Sequence, residues 1–244
     1  VWWCDKGRKL IFAVVIYGEI NRNKDFLDLV LGNYKPNEVV FVDGEDYDGV
    51  VRLSHVPKEL GFRSKLGMLR EYTRKNEFAG TLVGKGILFK RELSDSQSDI
   101  FNPISFACVR QDVVEKIPDK LREMSLLIPG DKSTYIYKTE ESYYHNYRES
   151  QFGITFKKWG WDCMRHYEIL MNGCIPYFTD LADCPIYTMC IFPKNIVLET
   201  NRLYEKKMMS AGAYDYYANM LLEYTREYLT TRTLAEYVMS FARV

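Results

Sequence analysis

With 244 residues, 47% hydrophobic and 27% charged, the chain has an ordinary soluble globular composition and length for one large domain or two small lobes. Its 33 basic and 33 acidic residues balance, which removes any global field favouring nucleic acid or an anionic membrane. No apolar run reaches the roughly 20 residues that span a bilayer, so neither a nucleic-acid partner nor a membrane segment is expected.

Taken in order, Lys9 to Tyr17 is a β-rich apolar run and Asp25 to Leu31 has helical character. Glu38 to Val42 is a second apolar run, ending in a turn-rich segment over 43–49, so the chain opens as β-α-β. A strand at Val50 to Leu53 follows, then a helix at Ser64 to Lys75 and a strand at Thr81 to Phe89. The polar run Ser94 to Asp99, with Asn102-Pro103 after it, separates a lobe of residues 1–100 from one of residues 101–244. Beyond it the pattern predicts a strand at Ile104 to Val109, helices at Gln111 to Met124 and Thr139 to Glu149, and a strand at Phe152 to Phe156. A strand at Asn195 to Leu198 and helices at Ala213 to Leu229 and Leu234 to Ala242 complete the chain. Strands alternating with helices in both halves predict an α/β protein with largely parallel sheets.

Aromatic residues reach 15%, and 19 of them are tyrosines, which fill cores first and can also stack on sugar rings. Cys4, Cys108, Cys163, Cys174, Cys184 and Cys190 lack CxxC spacing and read as buried free thiols. A zinc site from Cys184, Cys190 and a histidine is the weaker alternative. The chain opens at Val1 with no signal-peptide pattern, so the expectation is a cytoplasmic protein or one domain of a larger polypeptide.

The richest stretch runs from Lys157 to Phe178. Asp162 stands where an N-cap is expected, and Gly173 where a left-handed helix stop is expected, with a strand at Cys174 to Phe178 after it. At 100° per residue, Asp162, Arg165, Glu168 and Asn172 share a polar face, opposite Cys163, Tyr167, Leu170 and Met171. The plain reading is an exposed i,i+3 ion pair between Arg165 and Glu168. The chemical one is a nucleotide site: a helix start preceded by Lys157, Lys158 and Gly160 suits a diphosphate, and a carboxylate one turn inside suits a ribose diol.

This stretch resembles the exostosin-type glycosyltransferase signature: an Arg, then a Glu, then Gly-Cys-Ile-Pro, then an acidic residue. Here those are Arg165, Glu168, Gly173-Cys174-Ile175-Pro176 and Asp180. Glu140-Glu141-Ser142-Tyr143-Tyr144 and Tyr147-Arg148-Glu149-Ser150 upstream, with Leu222-Glu223-Tyr224-Thr225 and Leu229-Thr230-Thr231 downstream, are similar to exostosin-like proteins of microbes and large DNA viruses of algae. The resemblance covers roughly residues 135–240. It implies a compact GT-B-like fold, two Rossmann-like lobes facing a cleft with C-terminal helices bracing them, the acceptor on 1–100 and the donor on 101–244. It also implies an inverting glycosyltransferase with no cofactor and no divalent metal. The sugar would pass from a nucleotide-diphosphate donor, a UDP-sugar first, to a glycan or glycoprotein hydroxyl, in host cytoplasm if the chain is viral. By position, Arg165 with Lys157 or Lys158 would hold the diphosphate and Glu168 the ribose, beside Gly160 and Trp161. Gly173, Cys174 and Pro176 would shape the base pocket. Pro176 stands where many GT-B enzymes carry a second Glu, and the chain is about a hundred residues shorter than a usual enzyme of that fold.

Inversion requires a general base for the acceptor hydroxyl, expected at the cleft edge of the first lobe. Glu19, Asp43 and His55 qualify, the first two ahead of His55, and each reads first as an ordinary loop residue. Arg63 and Lys65 could neutralise the leaving diphosphate as a secondary phosphate site, or form a solvated turn. His166, Trp159 and Trp161 read as either donor contacts or packing. The Asp46-Tyr47-Asp48 triplet matches the manganese motif of GT-A glycosyltransferases and reads first as a solvated acidic turn. A carbohydrate- or nucleotide-binding module without catalysis is the remaining alternative.

Overall fold

The computed structural model describes residues 14–17, 24–44, 46 and 82–241. The predicted strand at 50–53 and helix at 64–75 lie outside these residues, as do Glu19, Asp48, His55, Arg63 and Lys65. The fold is mixed α/β, and the chain divides into two compact units. The first holds the described residues through Ile104, Pro185–Thr188 and the residues from Val238; the second holds Ser105–Cys184 and Met189–Tyr237.

In the first unit, β1 (Val14–Tyr17), β2 (Val39–Asp43), β3 (Ile87–Lys90) and the two-residue β4 (Asn102–Pro103) form a parallel sheet in that order. Helix α1 (Lys24–Asn33) joins β1 to β2. The Val-Val-Phe-Val run of β2 is buried throughout, as expected of a strand flanked on both sides in a parallel sheet. Val30, Phe41, Leu88, Leu93 and Phe101 belong to its core. Residues 82–86, predicted as the start of β3, form turns instead, with Gly84 at φ +76°. Gly86 admits the Phe41 ring, since a Cβ there would sit 2.6 Å from it.

In the second unit, β5 (Arg122–Met124), β6 (Ser150–Thr155) and β7 (Ile175–Phe178) form a parallel three-stranded sheet. Around it stand α2 (Glu140–Arg148), α3 (Met164–Met171), α4 (Lys194–Glu205) and α5 (Ala211–Tyr228); α6 (Thr231–Ser240) follows, its residues from Val238 counted with the first unit. Helix α2 starts on a reciprocal cap, Thr139 and Ser142 each bonding the other's backbone N–H. Helix α3 ends in a Schellman motif: the N–H of Gly173 (φ +65°) donates to Leu170 O at 3.0 Å and that of Cys174 to Ile169 O at 3.2 Å. Phe152, Tyr167, Leu170, Met171, Ile175 and Phe178 meet residues of α4 and α5 in one core.

Four expectations are corrected. Residues 111–124 are not a helix: a 3-10 turn at Arg110–Asp112 gives way to extended chain and then β5. Pro118 disfavours the helical conformation of the residue before it, and the Val114 N–H is drawn to Met171 O at 2.9 Å instead. Residues 104–109 form no strand, only a bridge between Cys108 and Thr230. Asn195 to Leu198 is the first turn of α4, not a strand, because buried Val197, Thr200 and Asn201 recur at helical spacing. Finally, Cys163 rather than Asp162 occupies the N-cap of α3.

Candidate functional site: a tyrosine-lined cleft beside α3

Helix α3 packs closely on β6 because Gly153 lacks a side chain; a Cβ there would lie 3.0 Å from Ile169. With His166, Tyr167, Ile169, Leu170 and Met171 buried, Arg165 and Glu168 are left on the opposite side. There they line a cleft of about 500 Å³ with Tyr143, Tyr144 and Glu140 of α2 and Leu127, Tyr135 and Tyr137 of the preceding loop.

Two residues that line this cleft each carry a buried polar atom with no hydrogen-bond partner: Arg165 through Nη1 and Tyr137 through its hydroxyl, the latter under the charges of Arg122 and Glu149. Arg165 does not form the i,i+3 ion pair with Glu168 that its spacing allows; Glu168 Oε2 instead accepts from the Tyr143 hydroxyl at 2.7 Å. The Tyr147 hydroxyl donates in turn to that of Tyr143 at 3.3 Å. Burial raises the Glu168 pKa above the ordinary carboxylate value, while the Tyr143 bond and the Arg165 charge pull it back. The cleft lining thus combines a guanidinium with one unpartnered donor, an acceptor carboxylate and a wall of tyrosine rings.

The remaining sequence-derived residues fall in different places. Lys158 Nζ reaches the Tyr135 hydroxyl at 3.4 Å, at the edge of the cleft. Lys157 is tied back through its N–H to Asp180, 3.2 Å from each carboxylate oxygen, and its Nζ lies 5.5 Å over the Trp161 ring. Gly160 is buried, and Trp161 is half-buried against Phe178. Gly173, Cys174 and Pro176 do not line the cleft. Gly173 packs on Ile117 and Pro118, Cys174 on Tyr147 and Ile169, and Pro176 pairs with Gly153 inside the sheet. Asp162 and Asn172, expected on the polar face, are buried. Asp162 accepts the Phe106 N–H and the Tyr167 hydroxyl, at 2.8 and 2.7 Å, and Asn172 Oδ1 accepts from Arg148 at 2.8 Å. Trp159 is 70% exposed.

In the first unit, Asp43 lies at the carboxyl end of β2, where parallel sheets bind ligands, and pairs with Lys90 at 2.5 Å. Asp46 pairs with Arg91, and its Asp-x-Asp partner Asp48 lies outside the described residues. Among the described residues no group of three His, Cys, Asp or Glu is placed to hold a metal ion, so Cys184 and Cys190 gain no histidine there.

Tyr135, Tyr137, Tyr143 and Tyr144 as cleft residues escaped the sequence reading. The available signal was local density, since positions 135, 137, 143, 144 and 147 are all tyrosine. No protein-family model, characterised protein or solved structure matches this chain.

Proposed function

We propose that the chain is an inverting, metal-independent glycosyltransferase whose second unit binds a nucleotide-diphosphate sugar, a UDP-sugar first, in the cleft beside α3. The observation that carries this reading is Arg165, a lining residue of a cleft wide enough for a nucleotide and walled by tyrosines, whose buried Nη1 has no hydrogen-bond partner. A buried charged donor left unpaired is costly, and a diphosphate oxygen would satisfy it. Glu168 Oε2 is engaged by Tyr143, so the other carboxylate oxygen is the one offered to a ribose hydroxyl. Tyrosine faces suit the base or the sugar ring.

On this reading β1-α1-β2 and β6-α3-β7 are parts of two Rossmann-like lobes. A base on the first, Asp43 among the described residues or else Glu19 or His55, takes the proton of a glycan hydroxyl. The resulting oxygen attacks the anomeric carbon from the face opposite the diphosphate. The bond from that carbon to the phosphate oxygen breaks, and Arg165 with Lys158 stabilises the charge that develops.

Calorimetry with UDP and UDP-sugars, with and without EDTA, tests the donor site. Arg165→Ala is expected to weaken binding about tenfold to a hundredfold, the worth of a charged hydrogen bond, with the far-UV spectrum unchanged. Equal affinity of wild type and variant would remove Arg165 from the site. Binding without any sugar transfer or donor hydrolysis would leave a binding module rather than an enzyme.

A further inference from the structure

The overall charge balance conceals a local imbalance beside the cleft. Leu126, Ile128, Tyr135, Ile136 and Trp159 are 53%, 41%, 47%, 64% and 70% exposed. Hydrogen bonds gather this segment: the Thr134 hydroxyl bonds both the N–H and the carbonyl of Ile128, and the Gly130 N–H donates to the Tyr135 hydroxyl at 3.3 Å. Lys158, adjacent to Trp159, joins it through Tyr135 at 3.4 Å, with its ammonium 5.9 Å above that ring. Lys132, Lys138, Lys157 and Lys158 lie within residues 126–138 and 157–159, against Asp131 as the one acid there. Asp131 is exposed and caps the 132–134 turn, accepting from the N–H and hydroxyl of Ser133 at 2.9 and 2.6 Å, and four lysines outnumber it. The surface is therefore both apolar and cationic, and Tyr135 and Lys138 belong at once to it and to the cleft wall.

We infer that this lip docks peripherally on an anionic lipid surface, with Trp159, Ile136 and Leu126 entering the headgroup region and Lys132 and Lys158 meeting the lipid phosphates. A protein partner fits less well, because protein interfaces are depleted in lysine at their centres. Exposed Trp and Tyr interleaved with lysine and aliphatic side chains is the chemistry of a bilayer interface. No described helix is long and apolar enough to cross a membrane, so the contact is a surface one. Docked this way, the cleft opens beside the bilayer; resting on the transfer proposed above, its acceptor is an amphiphile presented from that surface.

Co-sedimentation of the full chain with vesicles of phosphatidylcholine alone, or of phosphatidylcholine with phosphatidylserine, tests this without any sugar donor. The chain should partition onto the anionic vesicles, less so as salt is raised, and hardly onto the neutral ones. Lys132→Gln and Lys158→Gln should each weaken partition about fivefold. The pair Trp159→Ser and Ile136→Ser should abolish it while the circular dichroism spectrum and melting temperature stay the same. Equal partition onto both vesicle types, none onto either, or unchanged partition of the variants would overturn the proposal. So would a concentration-dependent dimer, seen by sedimentation, that the same serine substitutions dissolve.

Discussion

Arg165 and His166 are consecutive on one helix, and a rotation of about 100° separates opposite chemical fates. Arg165 turns to the cleft, whereas His166 is fully buried, stacked on Phe178 with ring centroids 4.4 Å apart. The Trp161 carbonyl can only accept, so His166 Nε2 carries the proton at 2.8 Å, and Nδ1 accepts from the Thr155 hydroxyl at 2.9 Å. A neutral imidazole satisfies both contacts. Burial therefore drives its pKa down to about 3, the Trp161 bond opposing and the Arg165 charge assisting. The folded pKa lies below the unfolded value of about 6.5, so the unfolded chain binds the extra proton between the two. Stability from this residue is complete above the unfolded pKa and falls as pH drops towards 3, by about 1 kcal/mol per pH unit. His166→Gln should be less stable than wild type at pH 7, and urea titrations should show that gap narrowing as pH falls towards 4. Parallel pH curves for the two proteins would mean that His166 is not held neutral.

At the scale of elements, the approach of α3 to β6 fixes where the cleft wall stands. Gly153 makes that approach possible, because a Cβ there would meet three Ile169 atoms at 3.0 to 3.1 Å. Gly153→Ala should destabilise by about 1–3 kcal/mol through overpacking, and the same change should cost almost nothing in an Ile169→Ala background. Strict additivity of the two substitutions in denaturant titrations would show that the contact does not limit packing. Helix α3 was legible in the sequence because its apolar period and its glycine stop agree, and α2 and α5 were legible for the same kind of local consistency. Residues 111–124 and 195–198 were not. In the first, the Val114 bond to Met171 joins positions far apart in the chain. In the second, the short apolar run Ile196-Val197-Leu198 fits a strand until the longer helical window is weighed. Arg165 and Glu168 were readable as a polar pair. Burial of Asp162 was not, since its partners Phe106 and Tyr167 are set by tertiary packing.

On the scale of the whole molecule, the cleft and the core beneath it lie in one unit. Every cleft-lining residue falls between Leu127 and Glu168, and the core that supports α3 draws on β6, β7, α4 and α5. Among the described residues, every member of that core falls within 105–184 or 189–237. Only the 185–188 segment, where the Thr188 hydroxyl donates to Leu93 O at 3.0 Å, counts with the other unit while lying within this span. A fragment of residues 105–237 should therefore fold by itself, with a sharp thermal transition and the near-UV signature of packed tyrosines. It should bind UDP within about threefold of the full chain, since shared lining means shared contact energy, about 0.6 kcal/mol being the margin. Sugar transfer should be lost, because the acceptor base is expected on the first unit. A broad, non-cooperative melt would show that the second unit depends on the first for its core. A folded fragment that still transfers sugar would move the base into the second unit, where Glu168, already holding a raised pKa at the cleft wall, becomes the carboxylate to substitute next.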